Sequence, residues 1–259
     1  MSVKCRRDGG KGTPRRQKEK MEQIYTIPVN EAFDDSRDHP ECGCPLCTLY
    51  RKLEEDELSL ILGASMMEPD IRIRTNREGF CPKHFTAMLT RKNRLGMALM
   101  LESHLNELSP ELFPHGLAAL AGKGSGAIPR LSELEGSCYV CSRIEFNLSR
   151  MAETVVLLWS QDGLFREKFK QQPHFCLPHY RRLLTVGRDR LGRREKGEFF
   201  REIGEIEERW FASLSSDVSA FCRSFDYRAE EPLTDEQKTA VERAVKGLSG
   251  LEGREIKPC

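Results

Sequence analysis

Eight residues of this chain have the types and spacing of metal ligands. A C-x2-C pair is followed by an F-C-x2-H motif, and the same combination occurs a second time. The side chains are Cys44, Cys47, Cys81 and His84 in the first copy and Cys138, Cys141, Cys176 and His179 in the second. Three thiolates and one imidazole bind zinc tetrahedrally, and two-residue spacers let both members of a pair bind one ion. The sequence therefore predicts two zinc sites, one in each copy.

Each predicted site has a full set of four ligands. Such a set leaves no open coordination position, which is typical of structural zinc sites. An iron–sulfur cluster is the alternative, and we favour zinc because cluster ligands are usually all cysteine. If the cysteines were merely small buried residues, His84 and His179 would have no reason to recur at the same offset.

The similarity of the two copies extends beyond the ligands. The further matches are Leu89-Thr90 with Leu184-Thr185 and Asn93-Arg-Leu-Gly96 with Asp189-Arg-Leu-Gly192. An offset held through so many positions indicates an internal duplication. Arg94 and Arg190 recur within it. Arginine binds phosphate or carboxylate groups well, but we expect ion pairs or helix caps at these two positions.

Composition predicts an ordinary soluble chain with a sizeable core, since 39% of the 259 residues are hydrophobic and 31% are charged. No apolar run approaches the ~20 residues of a membrane span, and no signal peptide is recognisable. Six of the ten cysteines belong to the motifs, leaving Cys5, Cys42, Cys222 and Cys259. Thiols without an export signal are typical of a reducing compartment. We therefore expect a cytoplasmic protein that does not enter a membrane, and we interpret Cys42 as a bystander.

Charge is distributed unevenly. Residues 1–20 carry eight Lys or Arg against two acidic residues, whereas the rest of the chain is mildly acidic. With no apolar pattern, this segment is predicted to be a disordered basic tail that is dispensable for stability. A nucleic-acid-binding arm is the alternative, and the acidic body makes it the weaker one.

The apolar periodicity predicts an all-α fold, because no strand alternation of any length is present. The predicted organisation is the tail at 1–20, an extended or turn-like lead-in at 21–43, repeat 1 at 44–108, a linker at 109–137, repeat 2 at 138–226, and a C-terminal helix and tail at 227–259. The predicted helices run from the Cys44–Cys47 turn to about Leu62, from Cys81–His84 to about Leu108, from Cys141 to Trp159, from Leu164 to Gln171, along a long amphipathic segment after Gly192, and from an N-cap at Thr234.

Two polar features of these helices have ordinary interpretations. We interpret the acidic run Glu54–Glu57 as a solvated face and not as a carboxylate metal site, because no E-x-x-H partner occurs in the chain. His104 lies on an apolar face, where a hydrogen-bonded core histidine is the expected role.

The ligand pairs of one copy must meet for a site to form. A 16-residue helix is about 24 Å long, and the 18 residues between Leu62 and Cys81 are enough to return over that distance. We therefore expect Cys44 and Cys47 to share an ion with Cys81 and His84.

The sequence resembles an uncharacterised family of bacterial proteins known only as a domain of unknown function. The resemblance covers about residues 21–228. The residues that carry it are Ile24-Tyr-Thr-Ile-Pro-Val-Asn-Glu-Ala-Phe33, Cys44-Pro-Leu-Cys47, Leu53-Glu-Glu-Asp56, Thr75-Asn76, Gly79-Phe-Cys81, Asn93-Arg-Leu-Gly96 and Cys138-Tyr-Val-Cys141. It implies a bacterial cytoplasmic protein and no particular activity.

The residues favour a non-enzymatic interaction or regulatory protein with an unnamed protein partner. The chain has no phosphate-binding glycine loop and no Ser/His/Asp set, and its predicted metal sites are closed. A thiol-based redox sensor or oxidoreductase that releases metal from a C-x2-C pair is the alternative. Nucleic-acid binding is a weaker one.

Overall fold

The computed structural model describes residues 14–113, 127–226 and 232–250, with side chains from residue 24 onward. Within these ranges the chain forms twelve α-helices and no strand, which confirms the all-α class. The helices are α1 Pro14–Asp38, α2 Pro45–Ile61, α3 Pro69–Glu78, α4 Pro82–Leu89, α5 Arg94–Leu112, α6 Ala127–Gly136, α7 Tyr139–Gln161, α8 Gly163–Lys170, α9 Leu177–Arg190, α10 Arg193–Arg223, α11 Asp235–Lys238 and α12 Ala240–Ser249. None of these described helices is long and apolar enough to span a membrane.

The chain divides into two compact units. Unit 1 comprises Met1–Thr48 and Arg150–Cys259, and unit 2 comprises Leu49–Ser149. The boundaries fall inside α2 and α7, so the units do not coincide with the two motif copies.

Unit 1 is built around an aromatic cluster. Phe33 of α1 lies with its ring centroid 5.0 Å from that of Phe165, and Phe169 lies 5.3 Å from Phe175 and 5.6 Å from Phe199. All five rings are buried. Because Phe175 directly precedes Cys176, the phenylalanine of the second F-C-x2-H motif ties that ligand turn to the core.

Unit 2 has an aliphatic and methionine-rich core. Its buried members include Leu58, Ile61, Met88, Met97, Met100, Tyr139 and Ile144. Phe80, which precedes Cys81, packs against this core and edge-on to Phe85 with the ring centroids 5.4 Å apart. The first F-C-x2-H motif is therefore anchored like the second.

Several helix boundaries match the sequence and two do not. The helices predicted from the Cys44–Cys47 turn and from Cys141, the short helix after Asp162, and the long helix after Gly192 are all present. The predicted extended or turn-like lead-in at 21–43 is wrong for residues 21–38, which belong to α1; a 3-10 turn follows at Pro40–Cys42. The single helix predicted from Cys81 to Leu108 is also wrong. It breaks at residues 90–93, where the Asn93 side chain caps α5 by accepting from the Gly96 N–H.

The remaining segments lie partly outside the described residues. Of the predicted basic tail, residues 1–13 lie outside, and α1 begins at Pro14. Of the predicted linker, residues 114–126 lie outside, and 127–136 form α6. Near the C-terminus, residues 227–231 and 251–259 lie outside. The predicted N-cap is confirmed, since Thr234 Oγ1 accepts from the Gln237 N–H.

Candidate metal centres

The eight motif residues converge into two Cys3His groups. The outer quartet is Cys44, Cys47, Cys176 and His179, and the inner quartet is Cys81, His84, Cys138 and Cys141. Within each quartet the four ligand atoms lie within 4.8 Å of one another. The outer quartet belongs wholly to unit 1 and the inner quartet wholly to unit 2.

The spacing of the ligand atoms matches a tetrahedral ion. Zn–S bonds of about 2.3 Å and Zn–N bonds of about 2.05 Å require sulfur–sulfur separations of about 3.8 Å and sulfur–nitrogen separations of about 3.6 Å. In the inner quartet, His84 Nδ1 lies 3.2, 3.3 and 3.4 Å from the sulfurs of Cys81, Cys138 and Cys141. The sulfurs of Cys81 and Cys141 are 3.9 Å apart.

The outer quartet has the same spacing. His179 Nδ1 lies 3.5, 3.4 and 3.2 Å from the sulfurs of Cys44, Cys47 and Cys176. The sulfurs of Cys47 and Cys176 are 3.5 Å apart. Both quartets could therefore hold a metal ion with little rearrangement.

The grouping of the ligands corrects the one expected from the sequence. Each quartet takes its C-x2-C pair from one copy and its C-x2-H pair from the other. The length estimate failed because the segment after Leu62 is not extended: it forms a 3-10 turn at Ala64–Met67 and then α3. A helix advances about 1.5 Å per residue, less than half the rise of an extended chain.

All four ligand pairs begin helices. Cys81 and Cys176 are the N-caps of α4 and α9, and Cys44 and Cys138 directly precede α2 and α7. The first turn of a helix carries unpaired N–H groups and the positive end of the helix dipole, so it favours a thiolate.

The pKa values of the cysteine thiols indicate which sulfur of each C-x2-C pair carries the negative charge when no metal is bound. In the inner quartet a hydrogen bond from Cys141 lowers the pKa of Cys138 to about 3, although burial opposes this, while the same interaction raises the pKa of Cys141. In the outer quartet burial would raise the pKa of Cys44, but hydrogen bonds from Cys176 and Cys47 hold it well below its usual range. In both C-x2-C pairs the first cysteine thus has a lower pKa than the second.

A carboxylate that the sequence reasoning missed orients His84. Glu54 Oε1 lies 3.0 Å from His84 Nε2 and 2.6 Å from Lys83 Nζ. Since a carboxylate only accepts, the hydrogen lies on Nε2, and the Nδ1 side of the ring faces the three sulfurs. Burial works against protonation of this imidazole, but hydrogen bonds to Cys138 and Glu54 outweigh it and raise the pKa of His84 to about 9.

This histidine–carboxylate pair is the usual companion of a metal-bound histidine, because it fixes the tautomer and the ring orientation. A signal for it was present in the sequence. Glu54 lies three residues before Glu57 and four before Leu58, so these three side chains share one face of α2, and Leu58 marks it as the inward face. Glu57 is buried, whereas Glu55 and Asp56 are exposed.

Backbone contacts bring the two halves of the inner quartet together. The Tyr139 N–H donates to the Gly79 carbonyl over 3.0 Å, and Ser137 Oγ donates to the Glu78 carbonyl over 2.6 Å. Gly79 has φ +60°, a left-handed conformation that suits glycine and turns the chain from α3 into the ligand turn.

Side-chain contacts between α1 and α8 support the outer quartet. Lys168 Nζ lies 2.7 Å from Asp34 Oδ2, and Gln172 Nε2 donates to the Phe33 carbonyl over 2.9 Å. Ser36 Oγ donates to the Gly43 carbonyl, directly before Cys44, over 2.6 Å. These bonds hold both chain segments that enter the outer quartet.

The two quartets differ in exposure. In the outer quartet Cys44, Cys176 and His179 are 3%, 1% and 4% exposed. In the inner quartet His84 is fully buried, but Cys141 is exposed. The inner quartet is therefore open to solvent at one thiol.

Other residues singled out in the sequence lie elsewhere. Cys42 is not part of either quartet. His104 Nδ1 lies 2.9 Å from the Asn76 carbonyl, which fits a hydrogen-bonded structural histidine. Arg190 forms an ion pair with Glu153 at 2.6 Å, and Arg94 is exposed.

Comparison with known sequences places the chain in a family. The model of a family of unknown function, DUF6062, matches residues 20–254. The chain belongs to this family. The match spans all eight ligand residues, which confirms the resemblance noted in the sequence. No curated protein and no solved structure matches significantly.

Proposed function

We propose that this member of the DUF6062 family is a cytoplasmic zinc protein whose two Cys3His sites are structural and which acts by binding a protein partner, without catalysis. The ligand geometry carries the zinc assignment. Three sulfurs and one imidazole at tetrahedral spacing suit Zn²⁺ in each quartet. Cys44 and Cys47 would share one ion with Cys176 and His179, and Cys81 and His84 would share the other with Cys138 and Cys141.

The structural role follows from the position of the ligands. Each bound ion would join the first turns of two helices that are far apart in sequence, so binding would contribute directly to folding. Apparent contributions of structural zinc are on the order of 10 kcal/mol. A four-ligand set leaves no site for a substrate, and the eight described cysteines outside disulfides are consistent with a reducing cytoplasm.

Two double variants test both the metal and the grouping. Cys47→Ser with Cys176→Ser removes two ligands from the outer quartet alone, whereas Cys47→Ser with Cys81→Ser removes one from each. We expect the first variant to retain one tightly held zinc ion and the second to retain none when both are challenged with a chelator. Cys42→Ser is the thiol control and should retain two.

Elemental analysis and circular dichroism of the same samples provide the readout. If the unmodified protein purified without oxygen holds iron and sulfide in place of zinc, the zinc assignment fails. If the two double variants retain the opposite numbers of ions, the grouping across copies fails.

The exposure of Cys141 favours a second candidate, a thiol-based redox sensor. Hydrogen peroxide would take two electrons from the Cys138 and Cys141 thiolates, forming their disulfide and two molecules of water after proton uptake, and the metal would be released. The outer quartet is less accessible to peroxide, because Cys44 and Cys176 are buried and Cys47 is half-buried. Nucleic-acid binding has no comparable observation in its favour.

Zinc release during peroxide titration separates the two candidates. For a structural role we expect zinc loss only together with loss of helicity. Reversible loss of one ion at micromolar peroxide, with helicity retained and a Cys138–Cys141 disulfide found by mass spectrometry, would support the sensor instead.

A further inference from the structure

Unit 1 contains a cavity that neither quartet uses. Its volume is about 270 Å³ and it lies where α7 meets the end of α9 and the start of α10, with Tyr25 of α1 on one side. A 150 Å³ apolar cavity accommodates benzene. By that measure this one has room for a ligand of about eleven non-hydrogen atoms.

The cavity combines an apolar wall with two guanidinium groups. Val156 and Leu157 line one part, and Arg150 and Arg190 line another. Glu153 lies between the arginines, at 2.6 Å from Arg190 and 3.5 Å from Arg150. Glu153 thus pairs with both guanidinium groups, each of which has five N–H donors in a planar fork that matches an oxyanion.

The second carboxylate of the cavity is already engaged. Glu195 Oε1 accepts a hydrogen bond from Ser160 Oγ at 2.6 Å, and Glu195 Oε2 accepts from the Gly192 N–H at 3.3 Å as part of the cap of α10. These two hydrogen bonds fix the orientation of the Glu195 carboxylate.

The sequence at the junction of α9 and α10 is basic. Residues 181–196 carry seven basic and two acidic side chains, in a chain whose body is otherwise mildly acidic. A concentration of one charge around a concave site attracts ligands of the opposite charge. The excess of positive charge along this segment favours an anionic ligand over a cationic one.

We propose that this cavity binds a small organic anion, with its carboxylate or phosphate on Arg190 and Arg150 and its apolar part against Val156 and Leu157. The site is separate from the proposed zinc ligands and does not depend on their function. The ligand's oxyanion would compete with Glu153, which pairs with both arginines.

Three probes with the same eight-carbon chain test the charge preference. Octanoate, octanol and octylammonium are titrated into the metal-loaded full-length protein, with binding followed by calorimetry and ligand-observed NMR. We expect octanoate to saturate one site and to bind at least tenfold more tightly than either other probe. Equal binding of octanol, tighter binding of octylammonium, or no octanoate binding at 10 mM would overturn the proposal.

Variants locate the site. Arg190→Gln removes one charged hydrogen-bonding partner and should weaken octanoate binding about tenfold. Glu153→Gln removes the competing carboxylate and should tighten it severalfold. Arg188→Gln is the matched control, because Arg188 lies on the same helix, pairs with the adjacent Asp189 and does not line the cavity.

A fourth variant keeps the test decisive if the charge variants unfold. Leu157→Trp fills the cavity without changing any charge and should abolish octanoate binding, while circular dichroism confirms an unchanged fold. Octanoate binding unaffected by Leu157→Trp, or equally weakened by Arg188→Gln and Arg190→Gln, would place the anion elsewhere and refute the assignment.

Discussion

Replacing Glu54 by glutamine should weaken metal binding at one quartet only. The Glu54 carboxylate accepts from His84 Nε2 at 3.0 Å and from Lys83 Nζ at 2.6 Å. The glutamine keeps the shape of the side chain and one acceptor oxygen but loses the negative charge. The His84 side chain is fully buried, and the Glu54 side chain is 20% exposed.

The size of the effect follows from the role of the carboxylate. Loss of a partner that orients a ligating histidine typically weakens metal affinity by about 10- to 100-fold, or about 1.4–2.7 kcal/mol. We expect Glu54→Gln to fall near the lower value, because it retains an acceptor for the imidazole. Glu54→Ala retains none and should fall near the upper value.

Competition with a chromophoric zinc chelator measures the two ions separately. The outer quartet serves as an internal standard, since it contains none of these residues. Glu55→Gln is the matched control: its carboxylate is 60% exposed and pairs with Arg91 at the surface. An exposed pair of this kind contributes about 0–1 kcal/mol, and metal affinity should not change.

Two results would contradict this reasoning. If Glu54→Ala leaves both affinities unchanged, the carboxylate does not orient a metal-bound histidine. If both ions weaken equally, or if Glu55→Gln has the same effect as Glu54→Gln, the change acts through general destabilisation and not through His84.

Three further predictions concern stability. Burial would raise the pKa of Glu202, but hydrogen bonds from Arg166 and Trp159 outweigh it and lower that pKa. Glu202→Gln should therefore lower the free energy of unfolding by about 2 kcal/mol at pH 7. The difference in Tm between the variant and the unmodified protein should shrink as the pH falls below about 4.5, where the carboxylate becomes protonated. Gly247→Ala would place a Cβ 2.0 Å from the Trp210 ring and should lower the Tm by several degrees, whereas Gly197→Ala, with open space around it, should raise the Tm slightly. Deleting residues 2–19, which precede the family match, should leave the Tm unchanged, and a fall of several degrees would contradict this.

The chemistry of the site was readable from the sequence, but its connectivity was not. All eight candidate ligands were found from motif spacing, because thiolate and imidazole at C-x2-C and C-x2-H separations have few other uses. The two copies offer identical ligand pairs, however, so spacing cannot decide which pairs meet. Which pairs meet depends on the backbone after Leu62, where α3 forms in place of the extended segment that the length argument assumed.

The helices were predicted well where the apolar pattern is strong, and a helix boundary was missed where a single side chain determines it. The long helix α10 follows directly from its periodicity. The break between α4 and α5 depends on Asn93, whose side chain caps α5 and also bonds to the Leu62 carbonyl in another part of unit 2. The role of Glu54 was missed for a similar reason, because a run of four acids conceals which of them faces inward.

The grouping of the residues into quartets also determines which quartet is completed first during synthesis. Cys47 and Cys176 are 129 residues apart, and the whole inner quartet lies between them along the chain. At about 5–20 residues per second, the ribosome completes the last inner ligand, Cys141, about 2–7 s before it reaches Cys176. Closing the inner loop first also shortens the outer one, which lowers its closure entropy by about 0.5 kcal/mol. The order of the motifs thus gives the inner quartet the first opportunity to capture metal during synthesis, whatever the relative affinities of the two sites.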